Sequence, residues 1–351
     1  MSTSQEIAAG ILKLSDSQFY ATEHEFSERE FKLLDAAYTG LAINAPRTID
    51  LAGHQGLPVV MASVRDARRQ WEVLQEKNLT FVAWQAATGA VYAQAAYPPP
   101  EKTGPEVFSR MPPEPRDQPP YTRNAKIEML HARQRLNLPW KPASLGLAVI
   151  SYDWVSNTIQ VELAGKFPDE DGQLKEVPPD EPKPFKVSPM PSPQAATQKV
   201  GLLGRAAPVL PTYESHSLMP KPPESGLALV APSKMAAFDR LVFFGAFSTK
   251  ARQWHLNPEP TVHLGKGGRK LTVAAVVPVT LLLLGLDWNV PKRFDWAVPV
   301  YANAPIREGS PLTGCFGIDA LAGSDIRLTA GRYMAYAVFD GRLFGPREIK
   351  I

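Results

Sequence analysis

The sequence holds a single cysteine, Cys315, among 351 residues. One thiol excludes an intramolecular disulfide, and with it the stapled scaffolds of small secreted proteins. Excess charge is equally scarce: 38 Lys and Arg stand against 35 Asp and Glu, a net charge of +3. Nucleic-acid binders gather basic residues into a patch or stripe. Here Arg65, Arg68 and Arg69 are followed by Glu72 and Glu76, while Lys266, Arg269 and Lys270 sit among glycines. So small an electrostatic footprint makes nucleic acid an unexpected partner.

The apolar run from Leu271 to Leu286 contains Thr272, Pro278 and Thr280 and is closed by Asp287. It is too short for a spanning helix, which needs roughly 20 apolar residues. Its β-branched content reads instead as two buried strands, or one strand broken at Pro278. The first six residues, MSTSQE, contain neither a basic stretch nor an apolar one. Read with the lone cysteine, that start leads us to expect a cytoplasmic protein without a membrane span.

What the chain does have is the composition of a folded protein, 44% apolar and 21% charged, and enough length for two domains. It is also rich in proline. Of 35 prolines, nine fall in residues 97–122 and fourteen in 168–232. Proline lacks a backbone donor and disfavours helix interiors and central strands. Both stretches are therefore expected to be irregular, with polyproline II pieces. A stretch as long as 168–232 reads as a linker or wrapping arm, and its apolar patch VGLLGRAAPVL (200–210) suggests that part of it docks on a surface.

Residues 1–45 read as a helical N-terminal segment. Ile7, Ile11 and Leu14 share a helical face, Ser27 to Glu30 fits a capping box, and Phe31, Leu34, Tyr38 and Leu41 continue an apolar stripe. Residues 46–167 form a β-rich domain carrying the insertion 97–122. Strands are expected at Pro58–Val64, at Leu79–Gln85 and Val91–Tyr97 as a hairpin through Gly89, at Leu145–Trp154, and at Thr158–Leu163; residues 63–77 lean to helix. Residues 233–351 are almost all strand and turn, and Asp340-Gly341 favours a type I′ hairpin. The expected fold is mainly β: one or two antiparallel, immunoglobulin-like β-sandwich domains, an N-terminal helical segment and long proline-rich connections.

Few residue constellations could carry chemistry. His255, Glu259 and His263 are spaced as H-x3-E-x3-H, a donor set that zinc accepts, although Pro258 and Pro260 forbid a helix there. Asp153-Trp154 and Asp287-Trp288, like Asp295-Trp296, place a carboxylate beside an aromatic plane. That arrangement suits a sugar, though such tryptophans more often anchor cores. Cys315 has no helical pattern after it, so it reads as a small buried strand residue rather than a nucleophile. Tyr213 to Ser217 puts an acid, a hydroxyl and an imidazole side by side in a proline-rich stretch, poor preorganisation for a triad. No G-x-S-x-G and no phosphate-binding loop is present. These features lean away from an enzyme and call for no cofactor. They lead us to expect a structural or interaction protein that works through protein contacts as a homo-oligomer. A carbohydrate-binding or other ligand-binding module at Asp153, Trp154, Asp287 and Trp288 is the alternative, and a metal-dependent or hydrolytic enzyme stands behind both.

Overall fold

A computed structural model describes residues 40–52, 56–66, 79–85, 87–95, 123–139, 141–151, 154–168, 174–175, 207–208, 219–235, 240–264, 270–285, 291–302, 305–321 and 328–351. The chain is mainly β, arranged as several antiparallel sheets. It divides into two compact units. Unit 1 comprises residues 1–83, 92–179 and 287–291; unit 2 comprises 84–91, 180–286 and 292–351.

Unit 1 begins with β1 (Gly40–Asn44), β2 (Thr48–Asp50) and β3 (Pro58–Asp66). β4 (Leu79–Gln85) and β5 (Ala90–Ala95) follow, their shared tip at 84–91 belonging to unit 2. Then come β6 (Arg123–His131), α1 (Ala132–Leu136), β7 (Ala143–Ser151), β8 (Trp154–Val155) and β9 (Ile159–Ala164). β1, β3 and β6 form one antiparallel sheet, and a second runs in the order β2-β9-β7-β4-β5, with β8 paired to β7. β2 and β9 run parallel, with Thr48 opposite Glu162. The two-residue strands β10 (Phe167–Pro168) and β11 (Leu174–Lys175) pair separately.

β3 runs on to Asp66, where sequence leans to helix, because β6 pairs with it residue for residue from Pro58↔His131 to Asp66↔Arg123. A continuous ladder outweighs a weak local helical preference. β1 likewise places Gly40–Asn44 in a sheet, at the end of the segment read as helical; residues 1–39 lie outside the described ones.

Leu41, Ile43, Val59, Met61, Phe81, Leu147, Val149 and Val161 share one buried cluster. β1's backbone is fastened to it by a side chain. Asn157, 3% exposed, accepts from Ile43 N–H at 2.8 Å and donates to Ile43 C=O at 2.9 Å, as a neighbouring strand would. Ser156 Oγ accepts from Val149 N–H and donates to Asn157 C=O, fixing the loop that carries the amide.

Unit 2 contains β12 (Ala207–Pro208), β13 (Gly226–Val230), β14 (Val242–Lys250), β15 (Leu256–Leu264), β16 (Lys270–Gly285), β17 (Lys292–Ala302), β18 (Pro311–Asp319), β19 (Arg332–Phe339) and β20 (Arg342–Lys350). One sheet is ordered β12-β18-β14-β13. The other runs β15-β16-β19-β20, with β17 on the free side of β16. Rings from the two sheets meet: Phe247 of β14 and Phe339 of β19 have centroids 5.4 Å apart.

The apolar run read from sequence is one unbroken 16-residue strand, β16. Pro278 interrupts nothing, because it sits where β16's neighbour changes. β15 pairs as far as Ala275 and β19 from Val279, so on that side Pro278 falls between two ladders, while on the other β17 runs past it with Ala297 opposite. Val273–Val277 and Val279–Leu284 are all buried. Both faces of the strand are thus covered, which is why its sequence shows no alternation.

β14 and β18 carry a reciprocal glycine–phenylalanine exchange. Gly245 lies opposite Phe316, and Phe247 opposite Gly314. A Cβ on Gly245 would lie 2.2 Å from Phe316 Cζ, and one on Gly314 2.6 Å from Phe247 Cζ. Each ring fills the space its partner glycine leaves open.

Candidate functional site

The tip of the β19–β20 hairpin is Asp340-Gly341, with φ of 46° and 72°. Two consecutive positive values define the type I′ turn read from sequence. The turn holds the Asp340 carboxylate against the segment joining β14 to β15. Thr249 Oγ1 donates to Asp340 Oδ2 at 2.5 Å, and Arg252 Nη2 pairs with Oδ1 at 2.7 Å. The Arg252 guanidinium also lies 5.2 Å from the centre of the Trp254 ring, so it is held between a carboxylate and an aromatic face.

His255 ends the 3-10 turn Gln253–His255 and is 2% exposed. Its Nδ1 accepts from Arg252 N–H at 3.3 Å, and its ring stands edge-on to Trp254 at 5.8 Å. Burial holds its pKa well below the ordinary histidine range, at about 4. The Asp340 charge and a backbone hydrogen bond with Lys250 pull upward; the Arg252 charge pushes further down. His255 is therefore neutral at pH 7, with Nδ1 an acceptor.

Around this cluster lies a cleft lined also by Trp84, Gln85, Val91, Pro278 and Thr280. Thr280 Oγ1 donates to Asp295 Oδ1 at 2.7 Å, Asp295 pairs with Arg293 at 2.9 Å, and Arg293 Nη1 donates to Val91 C=O. Gln85 Oε1 accepts from Thr88 Oγ1 at 3.0 Å. Trp84, 1% exposed, has no partner for Nε1 among the described residues. The enclosed volume is about 30 Å³, room for one or two waters. Small-molecule sites are typically roughly 300–1,000 Å³. As a chemical site, the cleft offers a neutral imidazole and a carboxylate, both already bonded to neighbouring groups.

The residues singled out from sequence are not gathered here. Of the H-x3-E-x3-H set, His255 is in the cleft. Glu259 and His263 lie on β15, whose ladder to β16 shifts register between Leu256 and Thr261; their side chains lie outside the described residues. Among the described residues no cluster of three or more His, Cys, Asp or Glu could hold a metal. Trp154 is half-buried in β8, packed against the unit 1 core. Asp153, Asp287 and Trp288 lie outside the described residues. Cys315 is a strand residue, but exposed rather than buried, because β18 alternates and turns Thr313 and Cys315 outward. Among the described residues no helix is long and apolar enough to cross a membrane.

Sequence reading missed Asp340 as a charged hub, having taken it only as a turn residue. It also missed Thr249 and Arg252, which gain their roles from a residue 91 positions beyond Thr249.

No protein-family model matches the chain, and no curated protein matches it. Among solved structures, red sea bream transglutaminase is 8% identical, with a TM-score of 0.17 over 93% of this chain and 34% of its own. The chain thus spans about a third of that protein's length. The C-terminal domain of the Streptococcus pyogenes antigen I/II-family protein AspA is 9% identical, with a TM-score of 0.15 over 89% of this chain and 99% of the domain. TM-scores this low carry neither fold nor function across.

Proposed function

We propose that the chain is a non-enzymatic structural or interaction protein. On this reading it is built from immunoglobulin-like β-sandwich units with proline-rich connections, and it acts through protein contacts and self-assembles. The observation that carries the reading is the state of the cleft. Asp340, Thr249, Arg252 and His255 are bonded to one another, and the enclosed space is far below that of a substrate pocket. A polar cluster of this kind stiffens a fold rather than awaiting a reactant.

Two features favour the sandwich architecture. One is the ring contact between the two sheets of unit 2. The other is Tyr333, near the start of β19, whose hydroxyl donates to Thr329 C=O at 3.0 Å and accepts from Thr329 N–H at 3.1 Å. A tyrosine that reaches back four residues to the backbone matches the tyrosine corner of such sandwiches. The single cysteine fits a reducing, cytoplasmic setting. Light scattering on the full chain tests the reading: a discrete oligomer supports self-assembly, and a monomer overturns it.

A further inference from the structure

The segment joining β14 to β15 is fastened at both ends. Ala251 N–H donates to Ser310 C=O at 2.7 Å, and Ala251 C=O accepts from Gly309 N–H at 2.8 Å. Leu256 lies opposite Ala275 of β16. Between these anchors the turn closes on itself through one ring nitrogen. His255 N–H donates to Arg252 C=O at 2.9 Å, and His255 Nδ1 accepts from Arg252 N–H at 3.3 Å. Arg252 carries that closure to the next hairpin through its 2.7 Å pair with Asp340.

A neutral imidazole whose Nδ1 accepts has its proton on Nε2, so Nδ1 is where a second proton goes. Once protonated, Nδ1 is a donor aimed at the Arg252 N–H, another donor, in a site 2% exposed to water. Such a pair of unmatched buried donors is costly. The charges that face the ring are Arg252 from its own turn and Asp340 from the β19–β20 tip, while Lys250 of β14 meets it through its backbone. From β16 the cleft is faced by Thr280, whose partner Asp295 is paired with Arg293 of β17. From the β4–β5 tip it is faced by Trp84, Gln85 and Val91, which do not titrate.

We propose that His255 is an acid-operated latch: a proton on Nδ1 releases residues 252–255 and the Arg252–Asp340 pair, parting this segment from the β19–β20 tip and opening the cleft while the flanking ladders stay closed. The enclosed ring titrates at about 4, against 6.5 for a free one. The opened form therefore takes up the proton first. Opening is favoured as pH falls from 6.5 to 4, by roughly a hundredfold in all.

Hydrogen exchange read by mass spectrometry on the full chain tests this, with rates corrected for the intrinsic effect of pH. From pH 7 to pH 4, protection within 249–256 and 338–343 is expected to fall about tenfold or more, while 273–284 of β16 keep theirs. His255→Gln, whose side-chain oxygen can still accept from Arg252 N–H, is expected to stay protected at both pH values. Asp340→Asn suits the type I′ turn and cannot titrate, and is expected still to open in acid. Wild-type protection unchanged at pH 4, or lost evenly across unit 2, overturns the latch. So does an acid step that survives in His255→Gln or vanishes in Asp340→Asn.

Discussion

Two buried polar residues, Asn157 and His255, each bond to the backbone of another residue. Asn157 substitutes for a strand, completing both hydrogen-bonding groups of Ile43. Asn157→Leu would leave a buried N–H and C=O unmatched, each costing roughly 1–3 kcal/mol. The expected loss is about 2–4 kcal/mol, read as a lower urea midpoint at unchanged slope. A loss under about 0.5 kcal/mol would show that the amide is not what fastens β1.

His255 makes a pH-dependent contribution whose sign is fixed by its depressed pKa. The folded chain holds the ring at about 4, against 6.5 for the unfolded chain. Between those values the unfolded state binds more protons, so stability rises with pH through the window and falls as pH drops through it. The full penalty, reached below pH 4, is about 3 kcal/mol. Urea midpoints measured from pH 7 to pH 4 should fall more steeply for the wild type than for His255→Gln. Parallel curves would mean that the imidazole is not buried as described.

At the scale of elements, the Gly–Phe exchange between β14 and β18 makes a prediction opposite to β propensity. Valine suits a strand better than glycine does. Yet a Cβ at residue 245 would lie 2.2 Å from Phe316 Cζ, and the ring would have to leave its place. Gly245→Val is expected to cost about 1–3 kcal/mol, the usual penalty for overfilling a packed site. Thermal melting reads it; a variant as stable as the wild type would show that the ring moves freely.

The same elements show what sequence reveals and what it hides. The Asp340-Gly341 turn was legible because its geometry depends on two adjacent residues. β16 was legible as buried, but not as one strand, because whether Pro278 breaks a ladder depends on neighbours distant in sequence. β6 went unread beside its proline-rich neighbour, although Ala125, Ile127 and Met129 alternate as a strand should. The pairing of FGAF with GCFG was present as matching two-residue spacings, but only the antiparallel register brings each phenylalanine over a glycine. The Asp340 cluster was hidden for the same reason: Thr249, Arg252 and His255 are neighbours in sequence, and the charge that organises them comes from another hairpin.

At the scale of the whole molecule, the groups of the described polar cleft are bonded to one another around a space of about 30 Å³. The expected behaviour is association, with protein rather than a small molecule as the partner. Size-exclusion chromatography with light scattering measures this most directly, on the full chain at two concentrations a hundredfold apart. The account predicts one discrete species at both, with a mass that is an integral multiple, greater than one, of 38.5 kDa. A mass of 38.5 kDa at both concentrations would contradict it.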